Sequence, residues 1–167
     1  MADLPAGPKP MPASERPASE RRDVELAIEH WQRHAPGGDR IPSLDSFDFS
    51  SMRADWGHRF LVCGDQAIEH SVFIAYGSGF ARLLRLPAKP VTVIPFIKQI
   101  PEPYRAMFSE GYSKATIELS PVMFDGTFRL AASAELFRAV FMPIMLRPNW
   151  SKRLIFGSFN CRAVGVV

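Results

Sequence analysis

Residues 134–164 read AELFRAVFMPIM (Ala134–Met145), LRPNWS (Leu146–Ser151) and KRLIFGSFNCRAV (Lys152–Val164). Two apolar runs of strand length, rich in Phe, Val, Ile and Met, flank a polar turn holding Pro148, Asn149 and Ser151. Aromatic and β-branched side chains suit a pleated, buried surface, and Pro, Asn and Ser between such runs mark a turn. The stretch reads as a long β-hairpin. Upstream, YGSGFARLLRL (Tyr76–Leu86) is a strand that breaks at Gly77-Ser78-Gly79 and becomes a small helix. Together these outline an antiparallel sheet with helices on one side.

Working outward, HRFLVCG (His58–Gly64) and HSVFIAY (His70–Tyr76) form a second hairpin around the loop DQAIE. Ser78 is placed to cap a helix over Gly79–Leu86. The Pro-spaced run LPAKPVTVIPFIKQIP holds a brief extended piece, Val91–Ile94. Pro101 then opens a helix to about Ala115, with Tyr104, Met107, Phe108 and Tyr112 on one face. Thr116–Met123 or Thr127–Ala132 supplies the strand before the long hairpin.

Toward the front, Asp23 is read as the cap of a helix reaching Ala35. Val24, Ala27, Ile28, Trp31 and Ala35 fall on one face, and Glu29 and Arg33 make an i, i+4 pair on the other. Pro36-Gly37-Gly38 stops it. IPSLDSFDFSSMRADWG follows as an extended linker pinned by Ile41, Leu44, Phe47, Phe49 and Met52, closing in a helical turn. Residues 1–22 hold five prolines and the pentapeptide PASER twice in tandem. Such a segment has little to bury, so it is expected to be a disordered leader, with the domain spanning 23–167.

Length and composition bound the class. A chain of 167 residues is one domain plus a tail, able to bury a core without disulfides or metal. With 47% apolar residues and 13 Phe, that core is expected to be packed. A formal charge of +3 is too small to argue for nucleic acid. Cys63 and Cys161 lie in strand-like apolar runs and read as buried reduced thiols, although sequence leaves a disulfide between them open. No segment reaches the ~20 apolar residues of a membrane span, and the start is not a secretory signal, so the cytoplasm is the expected location.

Helix, strand, strand, short helices, longer helix and three strands is an order that resembles the PAS-domain family. The wording resembles the small, stand-alone PAS proteins common in alphaproteobacteria. Those begin with a Trp-bearing helix and a Gly-Gly-x-x-x-Pro stretch, similar here to Trp31 followed by Gly37, Gly38 and Pro42. Tyr76-Gly77 into FARLL, VFMPI (Val140–Ile144) and LIFGSFN (Leu154–Asn160) resemble their later strands and small helix. The resemblance covers about residues 23–165; FLVCGD departs from it, lacking the family's Tyr-x-Tyr-Arg pattern. It implies an α+β fold, a PAS-like antiparallel five-stranded sheet with helices on one face, plus the amphipathic N-terminal helix.

Catalytic and metal motifs are weak. His30 and His34 have the i, i+4 spacing of metal ligands, but HWQRH lacks the Glu of HExxH, and both fall off the apolar face; they read as solvated. His58 and His70 start opposite arms of a hairpin, and a zinc site needs three or four ligands. The long helix has no His for haem, leaving Tyr104 and Met107, which read as core. Asn160-Cys161-Arg162 matches a flavin-site motif in letters only, since it ends a strand. Gly77-Ser78-Gly79 lacks the further Gly or Lys-Ser/Thr of a phosphate loop. Arg147, Lys152 and Arg153 around Trp150 read as an ordinary hairpin tip that favours protein contact over nucleic acid.

The function expected is therefore a PAS-type sensory or regulatory domain, not an enzyme, that binds a small ligand or a protein partner and signals through protein–protein contacts. No cofactor is implied; a small ligand would sit among Phe80, Leu83, Leu84, Tyr104, Phe108, Phe137, Phe141, Phe156 and Phe159. With no kinase, cyclase or DNA-binding segment after Val167, output is expected to pass to an unknown signalling protein or to a homodimer built on Val24, Ile28 and Trp31. The alternative is a ligand-free dimerisation domain with a filled core, and a third, weaker reading is a small α+β enzyme.

Overall fold

The computed structural model describes residues 16–35, 37, 41–49, 56–65, 67–147 and 152–164, the side chains of 16–21 aside. In chain order the elements are α1 (Arg16–His34), β1 (Arg59–Gly64), a 3-10 turn (Ile68–His70), β2 (Val72–Tyr76), α2 (Ser78–Leu84), α3 (Phe96–Gln99), α4 (Glu102–Glu118), β3 (Val122–Arg129), β4 (Ala134–Met145) and β5 (Arg153–Val164). The strands form one antiparallel sheet in the order β2-β1-β5-β4-β3. This is the expected α+β class, an antiparallel five-stranded sheet with helices on one face and an N-terminal helix added.

The long hairpin forms without a slip over twelve residues, from Ala134↔Val164 to Met145↔Arg153. Its turn, with Trp150, lies outside the described residues. β5 and β1 have a strand on each side, and their residues 154–159 and 60–62 are buried on both faces. One face carries Phe60, Val62, Ala139, Phe141, Ile155 and Phe159 against α2, α3 and α4. The other carries Leu61, Val140, Met142, Ile144, Leu154 and Phe156 against α1 and the strap 41–49.

Two glycines set close approaches. A Cβ at Gly111 would lie 2.3 Å from the Phe141 ring, so α4 comes this near the sheet only without a side chain there. A Cβ at Gly77 would lie 2.2 Å from the Gly57 carbonyl, which explains the break between β2 and α2.

Four local expectations change. α1 starts at Arg16, not Asp23, with a proline in its first turn where the missing N–H costs nothing. Residues 1–15 of the expected leader lie outside the described residues. Asp23 does not cap; its carboxylate accepts from Arg59 Nη2 at 3.2 Å and Ser158 Oγ at 3.1 Å, pinning α1 to β1 and β5. Val91–Ile94 is a turn rather than extended, and α3 follows it. α4 runs on to Glu118, and β3 overlaps the end of one stretch offered for it and the start of the other. Finally, α2 is preceded by Gly77 as its cap residue, and Ser78 is its first residue.

Pro143 shows how the strap, the sheet and α1 interlock. In β4, Met145 donates its N–H to the Pro42 carbonyl and accepts from Leu44 N–H, both at 2.8 Å, so its peptide groups face the strap. Pro143, two residues back, faces the same side, in the gap between the strap and the end of β3 at Val122↔Phe141. A proline is tolerated there because no ladder partner awaits its N–H. Its carbonyl is satisfied by the Trp31 indole N–H at 2.8 Å.

Candidate functional site

The sheet face under α2–α4 brings together most of the ligand-pocket residues expected from sequence. Phe80, Leu84, Tyr104, Phe108, Phe141 and Phe159 share one cluster, with Leu83 and Phe137 at its margin. Phe156 does not belong: it is one residue out of phase with Ile155 and Gly157 and points to the α1 side. A strand buried on both faces has no period-2 signal, which is why its parity was not legible.

The cluster is filled by its own rings. Phe60 lies 5.0 Å from Phe80, 5.6 Å from Phe108 and 5.5 Å from Phe141, centroid to centroid. Phe108 lies 5.1 Å from Phe159, and Phe73 lies 5.4 Å from Phe96. These are ordinary edge and tilted aromatic contacts. Phe60, Phe73 and Phe96 also belong to this interior, as does Tyr112 from the Tyr104 face of its helix; the strand positions offered the signal, but partners distant in sequence did not. Tyr112 shares a 2.6 Å hydrogen bond with Ser71, both buried.

At the open end of this face the chemistry turns polar. The Tyr104 hydroxyl donates to the Glu135 carboxylate, and its ring sits 4.9 Å from Phe128 and 5.5 Å from Phe159. Phe128 stacks on Phe137 at 4.1 Å. Burial first, then the Glu135 and Cys161 side chains beside it, push the Tyr104 hydroxyl well above its ordinary pKa, so it stays a neutral donor. Met107 is buried core.

On the α1 side, His30 and His34 are not simply solvated. Their rings lie 4.7 and 5.5 Å from Phe47, which the strap lays across α1. His30 donates from Nε2 to the Asp48 carbonyl at 2.9 Å, and His34 from Nδ1 to the His30 carbonyl at 2.8 Å. Burial, then the neighbouring His34, lowers the His30 pKa below 6.5. Phe47 also meets Phe156 at 5.3 Å.

The expected dimer stripe is occupied within the chain. Trp31 is 5% and Val24 2% exposed, both packed on β4 and β5, with Ile28 at the margin. The apolar face of α1 folds back on its own sheet. It is therefore not the free surface that the sequence suggested. Cys63 and Cys161 form no disulfide and lie on opposite faces of the sheet. Burial pushes the Cys63 thiol up. Among the described residues no group of His, Cys, Asp or Glu is arranged to hold a metal, and no helix is long and apolar enough to cross a membrane.

Beyond α1, the same sheet face is open at its β3 end. Two adjoining grooves of about 340 and 520 Å³ share Thr127 and Leu136, the first flanked by Asp125, Arg138 and Arg162, the second by Leu130 and Val164.

No protein-family profile matches the chain, and no curated protein matches it. A fungal LOV domain photoreceptor is similar in structure, with a TM-score of 0.37 and 14% identity, over 62% of this chain and 74% of that one. So slight a likeness carries no inference about function.

Proposed function

We propose that this chain is a PAS-type regulatory module that acts through protein–protein contacts and holds no resident small ligand. The observation that carries the reading is the ring-filled interior between the sheet and α2–α4. Six of the nine residues expected to line a ligand cavity are instead packed there against Phe60 and against one another. A ligand site needs concave space with a few converging polar groups. Here the polar groups at the margin, Tyr104 and Glu135, already satisfy each other. The motif order around Trp31, Gly37, Pro42, Tyr76-Gly77 and VFMPI supports grouping the chain with small PAS proteins.

Native mass spectrometry and an absorption spectrum of freshly purified protein test this. The expected mass is that of the polypeptide or a whole multiple of it, with no absorption beyond that of its aromatic side chains. A co-purifying small molecule or a chromophore band would overturn the ligand-free reading.

A further inference from the structure

We propose that the outer edge of β3 pairs with the β3 edge of a second copy of this chain, antiparallel and centred on Thr127, joining two sheets into one. This deepens the protein-contact reading by naming one partner.

Among the described residues, β3 is the last strand of its sheet and is bonded only to β4. At the turn, Leu130 N–H donates to the Ser133 carbonyl at 2.8 Å and Ser133 N–H returns to Leu130 at 3.4 Å. Antiparallel rungs recur every second residue, and the β3–β4 register runs without a slip from Val122↔Phe141 to Arg129↔Ala134. Val122, Phe124, Gly126 and Phe128 therefore direct their N–H and C=O groups at β4. Met123, Asp125, Thr127 and Arg129 direct theirs outward. The Met145 bonds to the strap fit the same alternation on β4.

All four outward residues are exposed, Met123 at 63%. Open backbone beside an exposed apolar side chain is a template for another strand. Only registers that oppose these four with one another satisfy the outward groups. Centring on Thr127 sets Asp125 directly across from Arg129 of the second copy, twice over, with Thr127 facing itself. Centring on Gly126 sets Asp125 against Thr127 and Met123 against Arg129. Centring on Asp125 sets two carboxylates together. Opposite charges directly across a ladder stabilise it and like charges destabilise it, so charge selects the first register. The contact is self-complementary, as a two-fold dimer requires.

Sedimentation of the full chain at tens of micromolar is expected to give twice 18.7 kDa. R129D turns both ion pairs into like-charge pairs and is expected to give the monomer mass, with the circular dichroism spectrum unchanged. The double variant D125R/R129D restores opposite charges and is expected to return the dimer. Amide exchange should slow with rising concentration at Asp125, Thr127 and Arg129, and not at Gly126 or Phe128. A wild-type monomer at high micromolar, a dimer indifferent to R129D, or a charge-swapped chain that stays monomeric would each remove the edge pairing. None of these would touch the ligand-free reading, which stands on the mass and the spectrum.

Discussion

Trp31 joins three things: an apolar face, a helix and a strand carbonyl without a ladder partner. Trp31→Phe keeps most of the ring but strands the buried Pro143 carbonyl, a loss of about 1–3 kcal/mol in a denaturant titration. Trp31→Ala also leaves a cavity and is expected to cost ~3–5 kcal/mol with no change of mass by sedimentation. Gly111→Ala tests the other face. Its Cβ meets the Phe141 ring, so overpacking of about 1–3 kcal/mol is expected, relieved when Phe141 is also shortened to Leu. His30 gives a pH signature. Its pKa is 6.5 unfolded and lower when folded, so the unfolded chain binds more protons below about pH 6.5. Stability is therefore full above that pH and falls as the pH drops toward the folded value. Melting curves at pH 7.5 and 5.5 should differ less in His30→Gln than in wild type; an equal difference would assign the effect elsewhere.

At the scale of elements, the hairpin β4–β5 was legible because its arms are long and its turn is chemically marked. The faces of β5 were not. Leu154, Ile155 and Phe156 are all buried, so a one-residue change of phase leaves the pattern looking the same. β3 was blurred for the opposite reason: VMFDGTFR is an edge strand whose Asp, Gly and Thr read as turn. The start of α1 was hidden by composition, since a proline-rich run reads as disordered although a helix tolerates proline in its first turn. His30 and His34 were misread because Phe47, which covers them, arrives from the strap. Of the candidate ligand lining, Phe80, Leu84, Tyr104, Phe108, Phe141 and Phe159 share one interior, and sequence did not show that their rings fill it. Asp23 is the first anchor of α1 among the described side chains, and deleting residues 1–22 is expected to shift the melting temperature by no more than about 4 °C, under ~1 kcal/mol. Deletion through Ala27 removes Asp23, Val24 and Ala27 together, and a clearly larger drop is expected.

For the whole molecule, the sheet is a wall between two cores, and each thiol belongs to one of them. Cys63 and Cys161 cannot reach each other through it. Reducing agent should leave the melting temperature unchanged, and thiol titration should count two groups after denaturation; a count of zero in oxidised protein would contradict the arrangement. The order β2-β1-β5-β4-β3 also bears on how the chain is made. β1 pairs within the sheet with β5, and α1 rests on β4 and β5, so both early elements wait for the latest ones. At ~5–20 residues per second of synthesis, that interval is on the order of ten seconds. Throughout it the apolar side of α1 and one edge of β1 have no template to close on. This chain should thus depend on chaperone binding at its nascent stage, and it should acquire protease resistance in a single late step once β5 has emerged.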